Sequence, residues 1–89
     1  MQNIEKIAVR LFAGAREQID KECIEIVVSF PVSVGQLKQL IQEQHPSLAG
    51  FVRHGRIAVD NHFVYDDFVF LNAKDAQPAI ALIPPVSGG

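Results

Sequence analysis

The sequence predicts an α+β fold in which one main helix packs on a mixed β-sheet. Several short segments alternate apolar and polar residues, which is typical of strands, and one longer segment has helical periodicity. The chain has 89 residues, of which 48% are hydrophobic, and this suffices for one core. We therefore expect a single domain over residues 1–83, followed by an extended tail over residues 84–89.

The first two strands are predicted from their period-2 pattern. The apolar positions that share one face are Ile7, Val9 and Leu11 in the first segment, and Ile24, Ile26, Val28 and Phe30 in the second. A polar stretch over residues 14–18 lies between them and predicts a loop or a single turn. Two strands joined by a short polar segment favour an antiparallel hairpin.

A helix is predicted to begin at Ser33, directly after the second strand. Ser33 and Gln36 have the spacing of a capping box, in which each side chain satisfies a free backbone N–H of the other residue. The apolar face consists of Val34, Leu37, Leu40 and Ile41. His45 and Pro46 mark the end of the helix, because a residue before proline avoids helical geometry.

The rest of the chain predicts short strands joined by loops. The predicted elements are an irregular connection over 47–56 that packs Leu48, Phe51 and Val52 on the core, a strand over 57–59, a short strand with an edge turn within 62–71, and a final strand over 79–83. Asp60 and Asn61 are turn formers. With the first and last strands adjacent in the centre, this order is typical of the ubiquitin-like β-grasp.

The final strand is apolar on both faces, as expected of a central strand. One helix covers only one face of a sheet, so Ala81 and Ile83 should point to the other face, near Phe12. Two interpretations remain open for this face. It is either a partner surface, or it is covered by the connection over residues 47–56.

Composition excludes several functions. The net charge is −2 and the basic residues are scattered, which argues against nucleic-acid binding. Cys23 is the sole cysteine, and His45, His54 and His62 lack metal-ligand spacing, so we expect neither a disulfide nor a metal site. No apolar run approaches the roughly 20 residues that span a bilayer. Residues 1–6 do not resemble a secretory signal, and a cytoplasmic domain without membrane contact is expected.

Two further groups are expected to be structural. Asp66 and Asp67 are adjacent acids in a turn, which are usually solvated rather than ligands of a cation. The aromatic side chains within residues 63–70 are expected mainly to pack in the core, although a recognition patch is the alternative.

The last six residues carry the candidate chemistry. Pro84 and Pro85 end the strand and start a stiff tail, and residues 84–89 span at most about 20 Å when extended. Gly88 and Gly89 have no side chains, so the tip fits a narrow channel and exposes only its carboxylate. Adenylation would give this carboxylate a leaving group, and a sulfur nucleophile would then form a thiocarboxylate. The alternative is an ordinary frayed terminus.

The sequence resembles the small subunits of molybdopterin synthase over nearly its whole length. The matching segments are Val9-Arg10-Leu11-Phe12-Ala13, Ala15-Arg16-Glu17, Phe30-Pro31, Val34-Gly35-Gln36-Leu37, Ala58-Val59-Asp60-Asn61 and Ile83-Pro84-Pro85-Val86-Ser87-Gly88-Gly89. The family usually has a short acidic turn with glycine before the last strand. Residues 72–78 are longer here and lack glycine, which affects partner pairing more than function.

The resemblance implies a sulfur carrier that is one subunit of a sulfurtransferase and is inactive alone. Gly89 would be adenylated by a partner related to ubiquitin-activating enzymes, which consumes ATP, and would then carry the thiocarboxylate. Within a heterotetramer, the large synthase subunit would pass the sulfur to cyclic pyranopterin monophosphate for the molybdenum cofactor. The expected partner contacts are Leu82, Ile83, Pro84, Pro85, Val86, Ser87 and Gly88. The chain itself is expected to bind no cofactor.

Three other functions remain open. Sulfur carriers for thiazole and thiamine synthesis also end in Gly-Gly, but they typically lack the Pro-Pro-Val-Ser sequence. A ubiquitin-like modifier would instead join Gly89 to a lysine through an isopeptide bond. A passive interaction domain would use neither reaction.

Overall fold

The computed structural model describes residues 4–84. The strands are β1 (Ile4–Leu11), β2 (Cys23–Ser29), β3 (Val32–Ser33), β4 (Arg56–Val59), β5 (His62–Val64), β6 (Val69–Phe70) and β7 (Ile80–Ile83). The α-helices are α1 (Ala13–Ile19), α2 (Val34–Gln44) and α3 (Ala49–His54), and the 3₁₀ helices are Pro46–Leu48 and Ala73–Ala76. No helix within residues 4–84 is long and apolar enough to cross a membrane.

Five strands form one mixed sheet in the order β2-β1-β7-β4-β5. β1 pairs with β2 in an antiparallel hairpin and with β7 in parallel, so the first and last strands are adjacent in the centre. Val9 lies opposite Ile80 and Leu11 lies opposite Leu82, which puts the apolar positions of both strands on the same face. The predicted ubiquitin-like β-grasp is confirmed.

The core lies between this face of the sheet and α2. The fully buried side chains include Val9, Ile26, Val34, Leu37, Ile41, Leu48, Val52, Ile57, Phe70 and Leu82. No charged or polar residue among those described is buried, so the core is held by apolar contact alone. Burial of each large aliphatic side chain stabilises the fold by about 1.5–3 kcal/mol relative to exposure.

The start of α2 has the capping box that the sequence predicts. The Ser33 hydroxyl accepts a hydrogen bond from the Gln36 N–H at 3.1 Å, and the Gln36 side chain accepts one from the Ser33 N–H at 2.9 Å. The helix ends at Gln44, and the His45 N–H still donates to the Ile41 carbonyl at 2.7 Å. Both predicted ends of the helix are confirmed.

Gln44 also closes part of the free edge of the sheet, because β2 is an outermost strand. The Val27 N–H donates to Gln44 Oε1 at 2.9 Å, and Gln44 Nε2 donates to the Val27 carbonyl at 2.9 Å. The amide side chain therefore bonds the edge backbone as the peptide group of a neighbouring strand would.

The prediction of a loop or single turn over residues 14–18 is wrong. The segment is the helix α1, which ends at Asp20 in a left-handed conformation with φ of 58°. Ala15 is fully buried and Ile19 packs against the core four residues later, so the two share one helical face. Two apolar positions that contact the core, within a helix of seven residues, are too few to produce a recognisable helical period in the sequence.

The prediction of an irregular connection over residues 47–56 is also wrong, because residues 47–54 are helical and β4 begins at Arg56. A 3₁₀ turn at Pro46–Leu48 leads into α3. The prediction that Leu48 and Val52 pack on the core is confirmed, because both are fully buried, and Phe51 is half-buried against the same cluster.

The segment over residues 60–71 contains two short strands rather than one. Asp60 and Asn61 have left-handed φ values of 52° and 66°, which form a tight hairpin turn between β4 and β5. β6 then leaves the sheet and pairs with β3, where Phe70 is fully buried. The predicted turn at Asp60 and Asn61 is confirmed.

Replacement of Ser33 by alanine tests the capping box. We expect Ser33→Ala to lower the free energy of unfolding by about 1 kcal/mol, because the Gln36 N–H loses its acceptor. Urea denaturation measures this change. Ser47→Ala, at an exposed position of the first 3₁₀ helix, is the matched control and should shift stability by no more than about 0.5 kcal/mol. Equal stability of the two variants would contradict the prediction.

Candidate functional site

The candidate site begins at the end of β7, where the chain leaves the sheet. Leu82 is fully buried on the inner face of the sheet, Ile83 is half-buried on the opposite face, and Pro84 is buried beyond the end of the strand. All three are predicted partner contacts, and that role stays a prediction. Only Ile83 presents its side chain to the outer surface, since Leu82 belongs to the core.

The reactive end of the predicted site lies outside the described residues. This applies to Gly89, the proposed carrier of sulfur, and to Pro85, Val86, Ser87 and Gly88. Their predicted roles therefore remain predictions. The structure describes the platform from which this segment starts.

The face of the sheet opposite α2 contains a shallow apolar hollow of about 200 Å³, called here the outer hollow. It is lined by Arg10, Phe12, Ala58, Asn61, Phe63, Ala79, Ala81 and Ile83. Ala58 lies opposite both Ala81 and Phe63 in the strand register, so small side chains form the floor beside an aromatic wall. The predicted orientation of Ala81 and Ile83, toward Phe12, is confirmed.

The connection over residues 47–56 does not cover the outer hollow. Its helix α3 packs against α2 and β7 on the core side, and Val52 is fully buried there. Phe12 is 42% exposed and Phe63 is 55% exposed, so the described part of the chain leaves this apolar surface open to solvent. Of the two interpretations of this face, covering by the connection is wrong.

Two arginines give the outer face positive charge. Arg10 lines the hollow, and the Arg56 guanidinium carbon lies 4.8 Å from the centre of the Phe63 ring, in a cation–π contact. Arg56 also pairs with Ile83 across β4 and β7. Among residues 4–84, no acidic residue lines the hollow, so its described lining combines apolar side chains with the positive charge of Arg10.

The other candidate groups form no second site within residues 4–84. No three His, Cys, Asp or Glu side chains in this range are placed to hold a metal ion. Cys23 is exposed on the edge strand β2. The Asp66 carboxylate lies 2.9 Å from the Lys38 ammonium and joins the turn to α2, so it acts as a structural ion pair.

The interpretation of the aromatic residues within 63–70 as core residues holds only for Phe70. Phe63, Tyr65 and Phe68 are 55%, 76% and 40% exposed. Phe63 faces outward because the Asp60–Asn61 turn sets it opposite Ala58, an outer-face residue of β4. This register depends on the hairpin turn, so alternation within β5 alone could not assign the face.

Sequence reasoning also missed Gly55, which lies buried between α3 and β4. A glycine at a helix-to-strand junction is a weak signal of close backbone approach. Its neighbours are the carbonyl of Ile83 and the Cα of Pro84, which come from a distant part of the sequence.

A β-grasp scaffold with an open apolar face beside its last strand defines a ubiquitin-like domain with the fold of the sulfur carriers. The ThiS family profile matches residues 9–89, and the chain belongs to the ThiS family.

Solved structures show the same fold. The small archaeal modifier protein 1 of Haloferax volcanii matches with a TM-score of 0.71 at 20% identity, covering 91% of this chain and 98% of that one. A putative molybdopterin converting factor, subunit 1, from Pyrococcus furiosus has a TM-score of 0.70 at 22% identity, with coverage of 91% and 98%. A chain of the complex of subunits 1 and 2 of molybdopterin-converting factor from Helicobacter pylori has a TM-score of 0.62 at 25% identity, with coverage of 96% and 100%.

Two phenylalanines distinguish the core from the open face. We expect Phe70→Ala to lower the free energy of unfolding by about 3–5 kcal/mol, because it empties a fully buried position. Phe63→Ala should cost about 1 kcal/mol or less, because its ring is half exposed and loses mainly the contact with Arg56. Urea denaturation of both variants checks the difference. Similar losses would mean that the outer face is part of the core.

Proposed function

We propose that this chain is the sulfur-carrying small subunit of a molybdopterin synthase. A thiocarboxylate on Gly89 would donate sulfur to cyclic pyranopterin monophosphate in molybdenum cofactor synthesis. The observation that carries the proposal is the open apolar face beside β7, the strand that leads into the Pro-Pro-Val-Ser-Gly-Gly sequence. Membership of the ThiS family supports the sulfur-carrier class.

The chemistry begins with activation of the Gly89 carboxylate. A partner adenylyltransferase related to ubiquitin-activating enzymes uses ATP to form an acyl adenylate and releases pyrophosphate. A sulfur nucleophile then attacks the acyl carbon, a C–S bond forms, and the C–O bond to AMP breaks. With hydrosulfide as the nucleophile, AMP is the leaving group and the product is the thiocarboxylate of Gly89. The adenylyltransferase, and not this chain, binds and consumes the ATP.

The outer face supplies the docking surface in this proposal. Exposed Phe12 and Phe63 offer apolar area, and Arg10 and Arg56 offer charge to an acidic rim. Fully extended, residues 84–89 span at most about 20 Å, so the Gly89 carboxylate can reach a site within that distance of the body. The partner then supplies the acid and base groups for sulfur transfer.

The large synthase subunit is the proposed principal partner. The structure from Helicobacter pylori is a complex of subunits 1 and 2 of a molybdopterin-converting factor, and a chain of that complex shares the fold of this chain at 25% identity. By the same proposal, two copies of each subunit form a heterotetramer in the cytoplasm.

Two alternatives have a specific observation behind them. The ThiS family match favours a sulfur carrier for thiazole and thiamine synthesis. The likeness to a small archaeal modifier protein favours a ubiquitin-like modifier, whose Gly89 would form an isopeptide bond. The Pro-Pro-Val-Ser sequence before Gly-Gly favours the synthase subunit over both.

Intact mass spectrometry tests the carrier chemistry. After incubation with ATP, a sulfide source and an activating enzyme, we expect the mass to rise by the difference between sulfur and oxygen, with the change mapped to Gly89. Deletion of Gly89 should abolish the change without lowering the melting temperature, because the residue lies beyond the last strand. An unmodified wild-type chain, with an enzyme proven on another carrier, would contradict the proposal.

The products then separate the three functions. Molybdopterin formed from the pyranopterin precursor with the large subunit supports the synthase assignment, whereas sulfur incorporated only into thiazole supports the thiamine alternative. Chain linked to lysine supports the modifier.

Charge reversal at Arg10 tests the docking face. We expect Arg10→Glu to weaken binding to the large subunit at least about tenfold, since like charges would then meet across the interface. Isothermal titration calorimetry at low and high ionic strength measures this loss. Arg53→Glu makes the same charge change on α3, on the core side of the sheet, and should leave affinity within about twofold. Equal effects of the two variants would place docking elsewhere.

A further inference from the structure

Gly55 lies beside the point at which the chain leaves the sheet after β7. It is buried between the end of α3 and the start of β4, and β4 pairs with β7 so that Arg56 lies opposite Ile83. The last residues of β7 therefore pass directly over Gly55.

The space around Gly55 does not admit a side chain. A Cβ at this position would lie 2.7 Å from the Ile83 carbonyl oxygen and 3.3 Å from the Pro84 Cα, and it would overlap the carbonyl oxygen of Phe51. These neighbours are backbone atoms, so they do not move aside as a flexible side chain does. The Gly55 φ of −95° is ordinary for any residue, and the requirement is therefore one of space.

Other glycines of the described chain do not share this constraint. A Cβ on Gly50, which lies within α3, would meet nothing within 4 Å. A Cβ on Gly14 would approach only the ring of Phe51, at 2.8 Å, and a ring can shift. Backbone therefore closes on Gly55 from α3 on one side and from the end of β7 on the other.

We propose that Gly55 is a positioning residue that sets the direction in which the chain leaves the sheet at Pro84. Proline restricts φ and donates no hydrogen bond. The direction in which the chain departs therefore depends on where the Ile83–Pro84 backbone packs against Gly55. Because Gly55 lacks a Cβ, the Ile83–Pro84 backbone packs directly against the junction of α3 and β4. A Cβ at position 55 would displace the Ile83–Pro84 backbone from this junction.

The consequence for activity rests on the proposed function. Residues 85–89 follow Pro84 in the sequence, so a displacement of Pro84 changes the point from which the segment that ends in the Gly89 carboxylate starts. A misplacement of about 1 Å at a reacting group can lower the rate about 100-fold. Gly55→Ala should thus misplace the carboxylate in the partner's active site while leaving Arg10 and Phe63 of the outer docking face in position.

The direction of the tail can be measured without any reaction. Cys23 is exposed, is the only cysteine, and lies on β2, two strands from β7, so a nitroxide there needs no other substitution. Paramagnetic broadening of the amide signals of Val86 to Gly89 is then compared between wild type, Gly55→Ala and Gly50→Ala. We expect a changed pattern only in Gly55→Ala, with core amides broadened as in wild type. An unchanged tail pattern in folded Gly55→Ala would overturn the proposal.

Kinetics with the activating enzyme give the second readout. Gly55→Ala should lower kcat for thiocarboxylate formation about 10- to 100-fold, because the Gly89 carboxylate is misplaced. KM should change by less than kcat, because Arg10 and Phe63 of the docking face stay in position. Gly50→Ala should match wild type. A purely structural role would instead lower the melting temperature and leave kcat per folded molecule unchanged, which would refute a positioning role.

The two readouts separate failure of this inference from failure of the proposed function. If wild type is never modified at Gly89, the proposed function fails, and the broadening pattern still decides the role of Gly55.

The double variant Gly50→Ala/Gly55→Ala, measured at low temperature, guards against instability, because alanine at position 50 favours α3. If neither variant that carries Gly55→Ala folds, Gly55 is a folding residue and the proposal is overturned.

Discussion

The parallel pairing of β1 with β7 is the constraint on which the rest of the structure depends. It joins the first strand to the last, across nearly the whole length of the chain, and it connects the β1–β2 hairpin to the β4–β5 hairpin. Closing so long a loop costs conformational entropy. Burial of Val9, Ile80 and Leu82 on the shared inner face offsets that cost.

The same pairing separates the two faces of the sheet and so creates the candidate site. Side chains alternate along each strand, and the residues next to the buried ones must therefore point outward. In β4 and β7 those neighbours are Ala58 and Ala81, which are small enough to leave a hollow between Phe12 and Phe63. The apolar character of both faces is thus a property of the central strands, and only one face has a helix to cover it.

Local signals in the sequence predicted much of this arrangement. The capping box at Ser33 and the turn at Asp60 and Asn61 each depend on residues a few positions apart, and both were predicted correctly. The helix α1 was missed because its buried face consists of little more than Ala15. The outward direction of Phe63 and the constraint at Gly55 could not be predicted, since a hairpin register decides one and a contact with Pro84 decides the other.

The hydrogen bonds between Gln44 and Val27 oppose self-association through the edge of the sheet. A chain with an uncovered apolar face has one surface prone to self-association, and an unpaired strand edge would add a second. Val27 is 43% exposed on the outermost strand, where a second molecule could extend the sheet. Gln44 occupies the backbone donor and acceptor at that point. A strand from a second molecule must therefore break the Gln44–Val27 hydrogen bonds before it can form its own at this position, which disfavours fibrous assembly at β2. The outer face of the sheet remains free for a partner.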